Sequence, residues 1–102
     1  MATSPLSEAE IVERLTALIG WERDGDKIVK TFKLKNYTAG LVFACAVGSI
    51  AEGMDHHPDM YIGWRKVTVS YTTHDAGNKL SNKDFTAAEA IERIPYPAAG
   101  NS

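Results

Sequence analysis

The stretch from Tyr37 to Met54 contains no turn cluster, and this feature does most to limit the folds open to the chain. Its apolar residues surround much of a helical wheel: Leu41, Val42, Phe43, Ala44, Cys45, Ala46, Val47 and Ile50. This pattern predicts a central, buried helix. The stretch is too short, and too interrupted by glycines, Ser49 and Glu52, to span a membrane. Its small residues instead favour close packing on a sheet.

Two further helices are predicted from their N-terminal caps. Ser7-Glu8-Ala9-Glu10 has the form of a capping box, and Ile11, Leu15, Leu18 and Ile19 follow it at helical spacing before Gly20. Ser81-Asn82-Lys83-Asp84 resembles a second cap. The third helix then has to stop before Pro95, since proline cannot continue a helix.

The sheet is predicted from two segments. The turn signal Asp24-Gly25-Asp26 and the alternating residues 28–35 predict a β-hairpin. The β-branched and aromatic residues from Tyr61 to Thr73 predict one long strand, with Val67, Val69 and Tyr71 on its core side. Together with the helices, these segments predict an α+β fold, in which three helices pack on one face of an antiparallel sheet of about four strands.

Length and composition predict one soluble domain. The 102 residues suit a single core, so we expect one domain over 1–102, with frayed ends at 1–5 and 96–102. Eleven basic against thirteen acidic residues give a net charge of -2, which disfavours direct nucleic-acid binding. Cys45 is the single cysteine and is expected to be a small buried hydrophobe. The first residues have no signal-peptide pattern, so cytoplasmic localisation is expected.

Three histidines are the main candidates for chemistry: the pair in His56-His57-Pro58, and His74. Pro58 holds His57 in an extended conformation, which makes the two adjacent rings diverge. Counting by twos from Thr68 places His74 on the polar side of the long strand. Isolated histidines often lie on surfaces or in satisfied core positions. A zinc site with Glu52 or Asp55 is a further alternative, but diverging rings and the absence of a His-Glu-x-x-His spacing disfavour it.

The spacing of these residues resembles a known family. Glu52, three residues, His56-His57-Pro58, five residues, Trp64, nine residues, His74 and then Asp84 resemble the signature of the pterin-4a-carbinolamine dehydratases. One departure lies after Thr73-His74-Asp75-Ala76-Gly77, where Asn78-Lys79 precede Leu80 and lengthen the loop. Since this loop borders the expected pocket, the departure bears on pterin affinity and side-chain preference more than on the chemistry.

The resemblance implies dehydration of 4a-hydroxytetrahydropterin to quinonoid dihydropterin and water, by acid–base catalysis. It implies that His56 and His74 act on the 4a-hydroxyl and that His57 is the base at N5. The residues implied in pterin binding include these three and their neighbours: Glu52, Asp55, Pro58, Thr73, Asp75 and Ala76. Elimination of water changes no oxidation state, so no cofactor and no metal are expected. Asp84 is interpreted as a helix-capping residue, and Trp64 and Tyr61 as either pocket walls or core and interface residues.

The expected partners follow from the same resemblance. The family acts beside pterin-dependent aromatic amino-acid hydroxylases and forms dimers and tetramers, so we expect a homo-oligomer that contacts neither membrane nor nucleic acid. Animal members also serve as dimerisation cofactors of a homeodomain transcription factor. A non-catalytic protein-binding module is therefore the alternative function, and the intact histidine set favours the enzyme.

Overall fold

The computed structural model describes residues 3–95 and confirms the predicted α+β fold. Within that range, the helices and strands follow one another as α1 (Glu8–Thr16), β1 (Glu22–Asp24), β2 (Lys27–Lys33), α2 (Tyr37–Met54), β3 (Asp59–Gly63), β4 (Lys66–Tyr71), a 3₁₀ turn (His74–Ala76) and α3 (Asn82–Glu92). The four strands form one antiparallel sheet in the order β1-β2-β4-β3. Strand β3 is thus an edge strand.

The predicted long strand from Tyr61 to Thr73 is wrong, because the chain reverses within it. Strands β3 and β4 form a hairpin in which Gly63 pairs with Lys66, and Arg65 in the turn has a left-handed backbone with φ of 60°. Trp64 and Arg65 are not residues that usually signal a turn, so the β-propensity of the segment concealed the reversal. The predicted β-hairpin of β1 and β2 is confirmed.

The core lies on one face of this sheet. Alternate residues of β2 and β4 point to it and are buried: Ile28, Phe32, Val67, Val69 and Tyr71. The helices cover them with Phe43 and Val47 of α2 and with Phe85 and Ile91 of α3. Removal of these apolar surfaces from water is the main stabilising contribution to the fold.

Helix α2 has the predicted bounds, but the prediction that it is buried is wrong. A single stripe is buried: Gly40, Phe43, Ala44, Val47 and Ala51. Leu41 and Val42 are 40% and 64% exposed, and Cys45 is exposed as well, contrary to the expectation for that thiol. A helix on one face of a sheet is covered on one side, whatever the composition of its other side. The expectation that this stretch is too short and too interrupted to span a membrane is also wrong, since its length and composition would suit a span, as those of many core helices do.

The other two helices begin where the caps in the sequence predict. Ser7 forms the predicted capping box with Glu10, and Ser81, predicted as a cap, also forms a capping box, with Asp84. Helix α1 ends at Thr16, so Ile19 lies beyond it and is 86% exposed instead of continuing the apolar face. At the N-terminus, the Thr3 hydroxyl donates to Asp75 Oδ2 at 3.0 Å. The predicted frayed end at 96–102 lies outside the described residues.

Candidate active site

The topology of the sheet brings the three histidines to one end of it. Asp55 ends α2 in the left-handed conformation, with φ of 51°, and the backbone N–H of His56 donates to the Ala51 carbonyl. The histidine pair therefore lies just before β3. Since Asp59 at the start of β3 pairs with Ser70 near the end of β4, the chain that follows β4 emerges beside the pair. His74 lies on that following segment.

His74 lies just beyond the strand and not on it, but on the polar side that alternation predicted. Strand β4 ends at Tyr71, and His74 begins the 3₁₀ turn. The alternation continues past the end of the strand, because Thr73 is still extended and is buried like Tyr71, whereas His74 is exposed. His74 lines the same cleft as the pair, as expected from its position on the polar side.

The cleft has a volume of about 390 Å³, which is within the usual range for small-molecule sites. Its lining consists of Asp55, His56, His57, Pro58, Asp59, Thr73, His74, Asp75 and Lys83. A somewhat larger depression of about 460 Å³ lies at the opposite edge of the sheet, around Gly20 and Arg23, and none of the histidines lines it. The chemistry suggested by the sequence therefore belongs to the smaller cleft.

His56 is held by a buried carboxylate. Its Nε2 lies 2.7 Å from Oδ1 of Asp84, a residue with no exposed surface. Oδ2 of Asp84 accepts hydrogen bonds from the Ser81 backbone N–H at 2.9 Å and from the Thr73 hydroxyl at 2.8 Å. Asp84 thus caps α3, as the sequence predicted, and also orients His56, which capping alone did not indicate. Its fixed place in the family spacing was the signal for this second role.

Tyr71 packs against the ring of His56. The two rings stack with centroids 5.0 Å apart, and the Tyr71 hydroxyl donates to the backbone oxygen of His56 at 3.1 Å. Burial and the nearby charge of Asp84 raise the pKa of Tyr71 to about 12. The hydroxyl therefore stays protonated and keeps its role as a donor at neutral pH.

His57 and His74 each have a different oxygen partner. Nε2 of His57 lies 2.7 Å from Oε1 of Glu52, and both of these side chains are largely exposed. Nδ1 of His74 lies 2.7 Å from Oδ1 of Asn78. Each of the three imidazoles consequently has one nitrogen fixed to an oxygen. Among residues 3–95, no hydrogen-bond partner occupies the other nitrogen, which is Nδ1 in His56 and His57 and Nε2 in His74.

The predicted binding residues are only partly on the cleft wall. Asp55, Pro58, Thr73 and Asp75 line it, whereas Glu52 contacts His57 and Ala76 is buried in the 3₁₀ turn. Asp59 and Lys83 also line the cleft, although neither was a candidate from the sequence.

Charged side chains lie around the predicted site. Lys83 Nζ lies 3.6 Å from Asp75 Oδ2, and the Thr3 hydroxyl together with this lysine holds the pKa of Asp75 below its usual value. No three His, Cys, Asp or Glu residues in the described part of the chain are grouped as metal ligands.

The two aromatic residues left open by the sequence lie away from the cleft. Trp64 and Tyr61 are 73% and 60% exposed on the β3–β4 hairpin, and neither lines the histidine cleft. They are therefore neither core residues nor walls of this pocket within the structure described.

Comparison with known proteins gives a consistent result over nearly the whole chain. The family model described as "Pterin 4 alpha carbinolamine dehydratase" matches residues 4–94. A protein of Roseiflexus sp. (strain RS-1), named a putative pterin-4-alpha-carbinolamine dehydratase, is 52% identical over 94 residues, which are 92% of this chain and 99% of the relative. A protein of Natronomonas pharaonis with the same name is 47% identical over 89 residues, or 87% of this chain and 94% of the relative. The crystal structure of a transcriptional coactivator/pterin dehydratase from Brucella melitensis superposes with a TM-score of 0.81 at 30% identity, covering 87% of this chain and 96% of that one.

Proposed function

Since the chain belongs to the pterin-4a-carbinolamine dehydratase family, we propose that its histidine cleft binds 4a-hydroxytetrahydropterin and that His56, His57 and His74 catalyse its dehydration. The enzyme is a hydro-lyase, a pterin-4a-carbinolamine dehydratase. The observation that supports the site most directly is that the three imidazoles of the family signature line one cleft.

The reaction needs an acid and a base at the same time. The C4a–O bond breaks and its electron pair leaves with oxygen, which takes up a proton and departs as water. N5 loses its proton, and the C4a=N5 double bond forms. Imidazole can serve in either role near neutral pH, and such assistance contributes roughly 10²- to 10⁴-fold to a rate.

We assign His56 and His74 to the 4a-hydroxyl and His57 to the proton on N5. Each ring has one nitrogen engaged by an oxygen of the protein, so the other nitrogen is the one left for the substrate. His56 has the most constrained ring, because Asp84 and Tyr71 hold it from two sides. Such constraint favours catalysis, because a positioned group loses little freedom when the substrate binds.

The pterin carries no net charge, so its hydrogen-bonding edges should determine how it binds. Asp55 and Asp75 offer carboxylate oxygens to the N–H groups of the amino-pyrimidine edge. The backbone N–H groups of Thr73 and Ala76 already donate to the carbonyls of Lys79 and Thr73, so they are not available to the ligand. An acceptor-rich wall of this kind suits a ligand edge that carries donors.

A dehydration assay on chelator-treated protein tests the proposed function. Elimination of water requires no redox step and no ion when imidazoles supply the proton transfers, so treated and untreated protein should dehydrate 4a-hydroxytetrahydropterin at the same rate. Loss of activity that zinc restores would instead indicate a metal-dependent reaction. Absence of activity in both samples would contradict the proposed function.

We further propose that the protein is a cytoplasmic homo-oligomer, either a dimer or a tetramer. It would act beside a pterin-dependent aromatic amino-acid hydroxylase, which produces the carbinolamine. Two surfaces favour contact with a second copy: the exposed apolar face of α2 around Val42 and the unpaired outer edge of β3.

The exposed face of α2 also bears on the alternative function, a protein-binding module. The Brucella relative is named a transcriptional coactivator as well as a pterin dehydratase, and an apolar helix face could bind another protein. The dehydration assay separates the two functions, because a module that only binds protein would leave the carbinolamine unchanged. The net charge of -2 disfavours direct binding to nucleic acid in either case.

A further inference from the structure

Asn78 lies in the loop extension of this chain and contacts a catalytic candidate from there. Its backbone is left-handed, with φ of 60°, and follows Gly77 with φ of 76°. These two residues turn the chain back so that the Asn78 amide reaches the ring of His74, with Oδ1 at 2.7 Å from Nδ1. The backbone N–H of Asn78 also donates to the His74 carbonyl at 3.3 Å. The extension is therefore joined to His74 by both its backbone and its side chain.

The contact determines which ring nitrogen carries hydrogen. An amide oxygen can only accept, so Nδ1 of His74 must be the donor. In the neutral ring, Nε2 then holds the lone pair. Without such a partner, a neutral imidazole favours the opposite tautomer, in which the hydrogen is on Nε2.

Asn78 differs from the partners of the other two rings in its charge. His56 and His57 face the carboxylates of Asp84 and Glu52. The amide of Asn78 orients His74 and selects its tautomer without adding a negative charge. His74 can consequently change its protonation state during the reaction at the single atom Nε2.

We propose that Asn78 is a positioning residue for the dehydration, which keeps Nε2 of His74 as the nitrogen that exchanges a proton with the 4a-hydroxyl. This inference rests on the proposed function of the cleft. The neutral Nε2 accepts a hydrogen bond from the substrate hydroxyl, and the protonated Nε2 donates to the departing oxygen. The geometry of His74 relative to the substrate is then the same in both states.

Three variants separate this role from a role in shaping the loop. Asn78→Gly removes the amide but tolerates the left-handed backbone, so the turn is preserved. Asn78→Asp also tolerates that backbone and retains an acceptor oxygen in the same place. Lys79→Ala changes the other residue of the extension, whose side chain faces Asp26 at 3.8 Å and not His74, and is the matched control.

The first measurement is the tautomer of His74, taken from ¹⁵N shifts of the imidazole nitrogens above about pH 8.5, where an imidazole is neutral. Wild type, Asn78→Asp and Lys79→Ala should have hydrogen on Nδ1, and Asn78→Gly should change toward Nε2. The second is dehydration kinetics, in which Asn78→Gly should lower kcat by roughly tenfold or more with little change in KM. Asn78→Asp should restore only part of that loss, because it keeps the acceptor oxygen but adds the negative charge that the amide lacks, and Lys79→Ala should behave as wild type.

The outcomes distinguish this inference from the proposed function. Hydrogen on Nε2 in the wild-type protein would overturn the inference even if the enzyme is active. An unchanged kcat in Asn78→Gly, in which the tautomer has changed, would also overturn the inference. A wild-type protein with hydrogen on Nδ1 and no dehydratase activity would contradict the proposed function instead, and the catalytic part of the inference with it.

Discussion

Asp84 is the residue on which the fold and the candidate site depend together. Its carboxylate is fully buried, and all of its partners are hydrogen-bond donors or can become so: the Ser81 backbone, the Thr73 hydroxyl and the His56 ring. A buried charge is tolerated when its oxygens are satisfied in this way. Loss of the charge should therefore affect helix α3 and His56 at once.

We predict that Asp84→Asn lowers both stability and activity. The amide keeps the shape of the side chain but supplies one acceptor in place of two, so a buried donor is left unpaired at a cost of about 1–3 kcal/mol. Denaturant unfolding measures this loss, and the dehydration rate should fall as well, because His56 is held less firmly. Glu89→Gln is the matched control on the same helix, where a partly exposed ion pair with Arg14 should contribute less than about 1 kcal/mol. Equal unfolding free energies for Asp84→Asn and the control would contradict the prediction.

In contrast to Asp84, His57 and His74 should affect the dehydration rate strongly and the stability of the fold little. Each of His57→Ala and His74→Ala is expected to lower the dehydration rate by roughly 10²-fold or more, because each ring transfers a proton in the transition state. Both side chains are exposed, so each substitution should change the free energy of unfolding by less than about 0.5 kcal/mol and shift the thermal midpoint little. If the rings act on one concerted elimination, the double variant should lose less than the product of the single losses. Near-normal rates in folded single variants would favour the protein-binding alternative.

Among the helices and strands, the features predicted best are those that depend on residues close together in the sequence. The caps at Ser7 and Ser81 are formed by side chains three residues apart, and both were predicted. The bounds of α2 were predicted for the same reason. The exposure of one side of α2 was not predicted, because the burial of Leu41 and Val42 depends on what packs beside the helix in the fold. The turn at Trp64 and Arg65 was missed because its residue types are those of strands.

The candidate site was likewise only partly predictable from the sequence. The three histidines were selected from their spacing, and their catalytic roles remain predictions. The groups that hold them were beyond sequence reasoning, since the contact of His56 with Asp84 joins residues 28 positions apart, from the end of α2 to the start of α3. Asn78 was noted as part of a longer loop, but its contact with His74 requires the left-handed turn that the structure shows.

Tyr71 of strand β4 should make the stability of the fold depend on pH. Its pKa is raised to about 12 in the folded protein, against about 10 in an unfolded chain. The raised value contributes stability that is fully present below pH 10 and is lost as pH rises from about 10 to 12, because only the unfolded state ionises in that interval. Tyr71→Phe removes this titration, so the stability difference between wild type and variant should shrink over the same interval in denaturant unfolding. Tyr37→Phe, an exposed site on α2, should keep the wild-type pH dependence, and a constant difference for Tyr71→Phe would refute the assignment.

At the level of the whole molecule, the apolar surface of α2 is the feature least explained by a single chain. Leu41 and Val42 are exposed, and the exposed Cys45 follows at a spacing of three to four residues, which puts it on the same side of the helix. A small domain gains stability when a second copy covers such a surface. Cys45 can then report on whether this side of α2 is covered in solution.

We predict that Val42→Glu weakens self-association, because a carboxylate on the covered face would be desolvated without a partner. Sedimentation should show smaller species for the variant at protein concentrations where wild type is oligomeric, and the Cys45 thiol should react faster with a maleimide. Val12→Glu is the matched control, since Val12 on α1 is 62% exposed against 64% for Val42. It should leave the mass and the thiol reactivity at wild-type values. An unchanged mass for Val42→Glu would exclude this face of α2 from the interface and leave the outer edge of β3 as the surface to test.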